Sequence, residues 1–254
     1  MGKTSTSPPS PLSPTNWPAK SFHWSLSLAL LAAVAAAFLL ATIGVATGFR
    51  MLHLSFGTKA SPTEWTFVAT VLIELPLIAL LLVALPRVAR RTLGELGLHP
   101  IRFRDLYYAF IGAVTALAAA ALVSLIETSV FHLNVHENVI GFFSKNEPRG
   151  WLIGIALVAV IYGPVVEELL FRGFIFNAIL RYVPVGAALA ISGIIFAGAH
   201  FEDPTSFVPL AVTGIILATI YYRTGSLVTS MLAHGTFNFI SLALYLANLA
   251  NKHP

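Results

Sequence analysis

The sequence predicts an all-α, polytopic membrane helix bundle with about seven transmembrane helices and a cytoplasmic N-terminus. Three observations lead there. The 254 residues are 57% hydrophobic and only 10% charged, where soluble domains carry roughly 25% charged residues. Mean hydropathy is +0.81. Apolar runs of spanning length alternate with short polar segments, and the arginines fall on alternate connections. The net charge of +4 is too small and too dispersed to indicate nucleic acid. No cysteine is present, which excludes disulfides, thiolate nucleophiles and Cys-ligated metals.

The elements follow in order. Residues 1–24 are rich in Pro, Ser and Thr and are expected to form a disordered tail. Residues 25–126 hold the N-terminal transmembrane helices, expected at 25–49, about 65–86 and 105–126. The first run is too long for a signal-peptide core. Residues 127–150 form an acidic, His-containing loop. Residues 151–249 hold the remaining helices, expected at 151–181, 185–200, 207–222 and 226–249. The segment with Arg87, Arg90, Arg91, Arg102 and Arg104 belongs on the cytoplasmic side. Counting outward, Arg181 and Arg223 fall on the same side, while the 127–150 loop and Glu202-Asp203 fall outside. The odd span count and the lack of a second E-E motif argue against an inverted-repeat transporter.

Residues 165–174 read V-V-E-E-L-L-F-R-G-F inside an apolar run. Each charge there costs roughly 2.5–3.5 kcal/mol at the centre of a spanning helix. On a helix advancing about 100° per residue, Glu168 and Arg172 (i, i+4) share a face and can pair. Glu167 points about 100° away from Glu168, free to face something else. Pro164 removes a hydrogen bond to Val160 and is expected to kink the helix, opening space beside Glu167. The next span ends F-A-G-A-H, with Phe196 and His200 on one face, and the last contains H-G-T-F-N, with His234 and Asn238 on one face. Glu167 and His200 lie 17 and 16 residues from the turn at Pro184, so both reach a similar depth. Three helices are thus expected to bring Glu167, Glu168, His200, His234 and Asn238 into one layer.

Each residue has a plainer reading. Glu168–Arg172 alone reads as a structural ion pair, a single intramembrane His as an interhelical hydrogen bond, and Asn238 as glue between helices. Glu74, beside Pro76, reads as a structural acid. The conjunction on three helices beside a proline marks a functional site. A carboxylate beside a histidine can activate water as a general base, and a His and an Asn can donate to an oxyanion. No G-x-S-x-G is present, so a covalent nucleophile has little support. Two histidines and a carboxylate are equally a zinc set, with Glu167, His200 and His234 as ligands. The residues alone leave both mechanisms open. A Glu/His proton-coupled transporter would need polar positions at several depths, and a peptide-binding protein would use the same groups as an anchor.

E-E-x-x-x-R at Glu167–Arg172, F-x-x-x-H at Phe196–His200 and H-x-x-x-N at His234–Asn238, in this order on successive helices, resemble the CPBP family. That family comprises CAAX prenyl endopeptidases and bacteriocin-processing or immunity proteins. The resemblance covers about residues 150–245, and L-G-E-L-G-L-H-P at 93–100 is similar to a stretch upstream in bacterial members. It implies that Glu167 is the catalytic base with His200 as its partner. It makes His234 and Asn238 the oxyanion hole, and gives Glu168, Arg172 and Phe196 the task of shaping the site. The function so implied is an intramembrane endopeptidase, metal-free in preference to zinc-dependent, acting on a membrane-associated or lipidated peptide. The cavity is expected to open to the cytosol or laterally to lipid, in the plasma membrane of a prokaryote.

Overall fold

The computed structural model describes residues 77–87, 92–132, 149–200 and 204–252, with isolated positions 29, 33, 47, 48 and 71. The expected tail, all but four positions of the 25–49 span, Glu74 and most of the 127–150 loop lie outside the described residues. Among the described residues every regular element is helical. Helix α1 is Leu77–Arg87 and α2 is Phe103–Val130. Helix α3 is one helical path in five pieces. Arg149–Leu157 is α-helical, Val158–Tyr162 is π-helical, Gly163–Glu168 returns to α, Leu169–Phe176 is again π, and Asn177–Ile179 closes it. Helix α4 is Val185–Gly198, a 3₁₀ turn covers Pro204–Ser206, α5 is Phe207–Thr224 and α6 is Leu227–Lys252.

Among the described residues, four helical stretches are long and apolar enough to cross a membrane: Phe103–Val130, Leu152–Ile179, Phe207–Thr224 and Leu227–Asn248. Helix α2 leaves Phe110, Val114, Leu122 and Leu125 exposed, as a lipid-facing surface does. The expected span 185–200 differs. Helix α4 has 14 residues, about 21 Å, against a hydrocarbon core of about 30 Å. Pro184 opens it, and a turn at Ala199–His200 closes it shortly before Pro204. Helices α4 and α5 cross with their backbones touching. A Cβ on Gly193 would lie 2.6 Å from the Ala211 carbonyl, and one on Gly214 2.9 Å from Gly193 Cα.

One end of the bundle is bolted by buried polar contacts. Asp105 accepts from Thr229 Oγ1 at 2.8 Å and from Ser226 Oγ at 3.4 Å, joining the starts of α2 and α6. The 92–100 segment packs there too. Its Leu96 carbonyl accepts from Tyr221 Oη at 3.2 Å, and its Gly97 carbonyl from the Val228 amide at 3.3 Å. Gly97 adopts φ +90, and a Cβ on it would collide with the Gly225 carbonyl. Asn177 Nδ2 donates to Tyr221 Oη at 2.9 Å, tying the end of α3 to the same knot. The apolar core of Leu81, Leu85, Leu96, Leu169, Phe176, Tyr221 and Leu227 fills the space between these elements.

Candidate active site

The adjacent glutamates of α3 diverge as a helix requires. Glu168 is fully buried and accepts from Arg172 Nη1 at 2.7 Å, one turn on. It also accepts from Ser230 Oγ at 2.6 Å and from His234 Nδ1 at 2.9 Å. Arg172 spends its second terminal nitrogen on the Gly214 carbonyl at 2.9 Å, and its guanidinium lies 4.7 Å from the centre of the Phe196 ring. Phe196 in turn packs against Phe171, His200 and His234. The ring thus touches the guanidinium and both imidazoles, while Arg172 Nη1 and His234 Nδ1 meet at the same Glu168 oxygen.

Glu167 points the other way, with its side chain 27% exposed. Its Oε2 lies 3.8 Å from His234 Nε2 and 4.0 Å from His200 Nε2, and it accepts no hydrogen bond. Both imidazoles are oriented from behind. His200 Nδ1 lies 2.9 Å from the Phe196 carbonyl, and His234 Nδ1 lies 2.9 Å from the Glu168 carboxylate. A carbonyl and a carboxylate only accept, so Nδ1 carries the proton in both rings. In the neutral rings, both Nε2 lone pairs then face the unpartnered oxygen of Glu167. His234 is 5% exposed and His200 35%, so exposure rises from α6 towards the end of α4.

The spacing shows what this set can hold. A water about 2.8 Å from both groups of either pair would subtend about 85–90°, within its bonding range. An ion at about 2.0–2.1 Å from both would need angles of about 130° or wider, far from tetrahedral. Among the described residues no group of three such side chains is spaced to hold a metal ion. As placed, the residues fit a water and not a tetrahedral ion.

Asn238 sits one turn beyond His234, and its Nδ2 donates to the Ala159 carbonyl at 2.7 Å. The backbone of α3 explains this bond. In the first π stretch the Gly163 amide bonds to the Val158 carbonyl, bypassing Ala159. Pro164 has no N–H to offer in its place. The orphaned carbonyl is satisfied from α6 instead. Gly235 makes the approach feasible, since a Cβ there would lie 2.5 Å from the Val160 carbonyl. The expected proline kink is thus a π insertion, common at functional sites. The second π stretch is served similarly, with Asn177 Nδ2 donating to the Arg172 carbonyl at 2.7 Å.

All seven residues singled out in the sequence come together here, with Glu167, His200 and His234 in one cluster and Asn238 on α6 beside it, bonded to the α3 backbone. Ser230 was not foreseen. It lies one turn before His234, so Ser230, His234 and Asn238 form a polar stripe at four-residue spacing, a signal present in the sequence.

Residues 149–240 match the family model described as Rce1-like, type II CAAX prenyl endopeptidase Rce1-like. Comparison with curated proteins and with solved structures finds no match.

Proposed function

From the premise that residues 149–240 are a domain of the CPBP/CAAX protease family, a family of membrane proteases, we propose that the chain cuts membrane-anchored peptides with a water activated by Glu167 and His200. The observation that carries this reading is the unpartnered Glu167 Oε2 set between two imidazole Nε2 atoms whose Nδ1 atoms are already committed.

A water in that gap gives one proton to Glu167 and hydrogen-bonds to His200 Nε2 while its oxygen attacks the scissile carbonyl. The proton held by Glu167 then passes to the leaving amine as the C–N bond breaks. Because Glu168 takes the Nδ1 proton, His234 can donate from Nε2 only as the imidazolium. Glu168 behind it balances that charge, and the donor meets the oxyanion. Asn238 has one Nδ2 hydrogen left after Ala159 and offers it to the same oxyanion. Glu168, Arg172, Ser230 and Phe196 hold His234 in place. The substrate is a lipidated or membrane-associated peptide, and the site of action the plasma membrane of a prokaryote.

The test is cleavage by purified, reconstituted wild type, Glu167→Gln and His200→Ala across lipidated and unlipidated anchored peptides, read by mass spectrometry, with and without chelator. Product from wild type alone, surviving chelation, is expected. Wild-type turnover by Glu167→Gln would remove Glu167 from the chemistry. Saturable binding without product from any variant would indicate a peptide-sequestering protein instead.

A further inference from the structure

We infer that Asn177 and Tyr221 are positioning residues: a hydrogen-bond relay running from the Leu96 carbonyl through both side chains holds the second π stretch of α3 open, and so keeps Arg172 on Glu168. The consequence for turnover rests on the peptidase reading above; the relay itself does not. The relay also draws the 92–100 segment, which lies outside residues 149–240, into the support of the site.

The π stretch Leu169–Phe176 begins directly after Glu168 and contains Arg172. Its turns bond i to i+5, so it takes up length that an α-helix would not hold. A helix that closed such an insertion by one residue would turn its two flanks by about 100° relative to each other. Glu168 faces Arg172, Ser230 and His234 on one flank, and Asn177 faces Tyr221 on the other. A closed helix could not keep both sets of partners. What holds the π turns therefore holds the carboxylate that orients His234.

Asn177 is placed for that task. Its Nδ2 lies 2.7 Å from the Arg172 carbonyl, 3.2 Å from the Gly173 carbonyl and 2.9 Å from Tyr221 Oη. Two hydrogens serve these three acceptors, so the carbonyls share one and Tyr221 takes the other. The amide cannot be reversed, because its oxygen would then face two carbonyls. Its Oδ1 is left buried without a hydrogen-bond partner, which is costly and shows which end of the amide the fold uses. Tyr221 Oη in turn donates to the Leu96 carbonyl at 3.2 Å, leaving its lone pairs for Asn177. Leu96, Asn177 and Tyr221 are each at most 1% exposed. The head of the relay is itself fixed. The Leu96 amide donates to the Thr92 carbonyl at 3.1 Å and the Leu98 amide to the Leu93 carbonyl at 2.9 Å, in a turn that Thr92 and Glu95 cap reciprocally.

The full-length protein in lipid nanodiscs would be compared as wild type, Tyr221→Phe, Asn177→Ala, the double variant and Thr229→Val. The readouts are hydrogen–deuterium exchange of the peptide covering 169–177 and, on the anchored peptide that the wild type cuts, kcat and KM. Tyr221→Phe keeps the ring against Phe176 and removes only the hydroxyl. Thr229→Val deletes a bond to Asp105 at the same end of the bundle that does not involve α3. Exchange at 169–177 should rise about tenfold in Tyr221→Phe and at least as much in Asn177→Ala, the loss of about one hydrogen bond. The double variant should be no worse than Asn177→Ala, because both act through one relay. In these variants kcat should fall with KM held. Thr229→Val should lower the unfolding temperature yet leave the 169–177 peptide exchanging as in wild type. Wild-type exchange in Tyr221→Phe, an equal rise in Thr229→Val, additive effects in the double variant, or faster exchange with unchanged kcat overturns the inference. Exchange needs no catalysis, so a wild type that cuts no peptide sinks the peptidase reading while exchange alone still decides the relay.

Discussion

Substituting the two adjacent glutamates one at a time should give opposite failures. Glu168→Gln removes the charge that compensates Arg172, and both side chains have 0% exposure. Breaking a buried pair by removing one partner costs about 3–5 kcal/mol, roughly 10²–10⁴ in the folding equilibrium. The amide also turns one oxygen into a donor, although both Glu168 oxygens already accept from Arg172, Ser230 or His234. Glu167→Gln perturbs a half-buried group that accepts no hydrogen bond at Oε2, so stability should stay within about 0.5 kcal/mol. Its turnover should fall by about 10²–10⁴, the contribution of a general base. Thermal unfolding in detergent, followed by loss of the monodisperse peak, measures the first effect, and peptide cleavage measures the second. A double substitution sharpens the contrast. Glu168→Leu with Arg172→Met removes both charges and should recover much of the lost stability. Activity should stay lost, because His234 Nδ1 then has no acceptor. The reasoning is refuted if Glu168→Gln unfolds with the wild type, or if Glu167→Gln loses stability to a similar extent.

Other substitutions probe the remaining supports. Ser230→Ala deletes the 2.6 Å bond to Glu168, about 1.5–3 kcal/mol for a charged acceptor, and should lower kcat with KM held, as cleavage kinetics will show. Gly235→Ala drives a Cβ to 2.5 Å from the Val160 carbonyl, so unfolding should show a loss of about 1–3 kcal/mol, with turnover falling as α6 is pushed from α3. Asn238→Ala strands the Ala159 carbonyl, about 1–3 kcal/mol by the same measurement, and cleavage should fall with it.

Much of the site was legible because helical geometry is short-ranged and countable. The i, i+4 spacing of Glu168 and Arg172 alone separates the paired glutamate from its neighbour, and the structure places a 2.7 Å ion pair there. Counting outward from Pro184 put Glu167 and His200 at one height, and they lie 4.0 Å apart. The expected 185–200 span runs two residues past α4, which ends at Gly198 with a turn at Ala199–His200. Ser230 escaped notice because an isolated serine in an apolar helix resembles any other, and only its register with His234 sets it apart.

The π insertions were out of reach for a deeper reason. A helical wheel assumes one advance per residue throughout, and whether a turn widens depends on who satisfies the carbonyls it releases. Here the partners lie elsewhere in the chain. Pro164 supplies the vacancy locally, but the Ala159 carbonyl is tolerable only because Asn238 arrives from α6, some eighty residues on in sequence. Gly235 lets it arrive. Asn238 therefore serves two ends at once. One Nδ2 hydrogen fixes the register of α6 against α3, and with it the distance from His234 to Glu167, while the other remains for substrate. That double duty explains why a residue whose plainest reading is glue between helices sits beside the proposed chemistry. In this site the glue sets the geometry on which the chemistry depends.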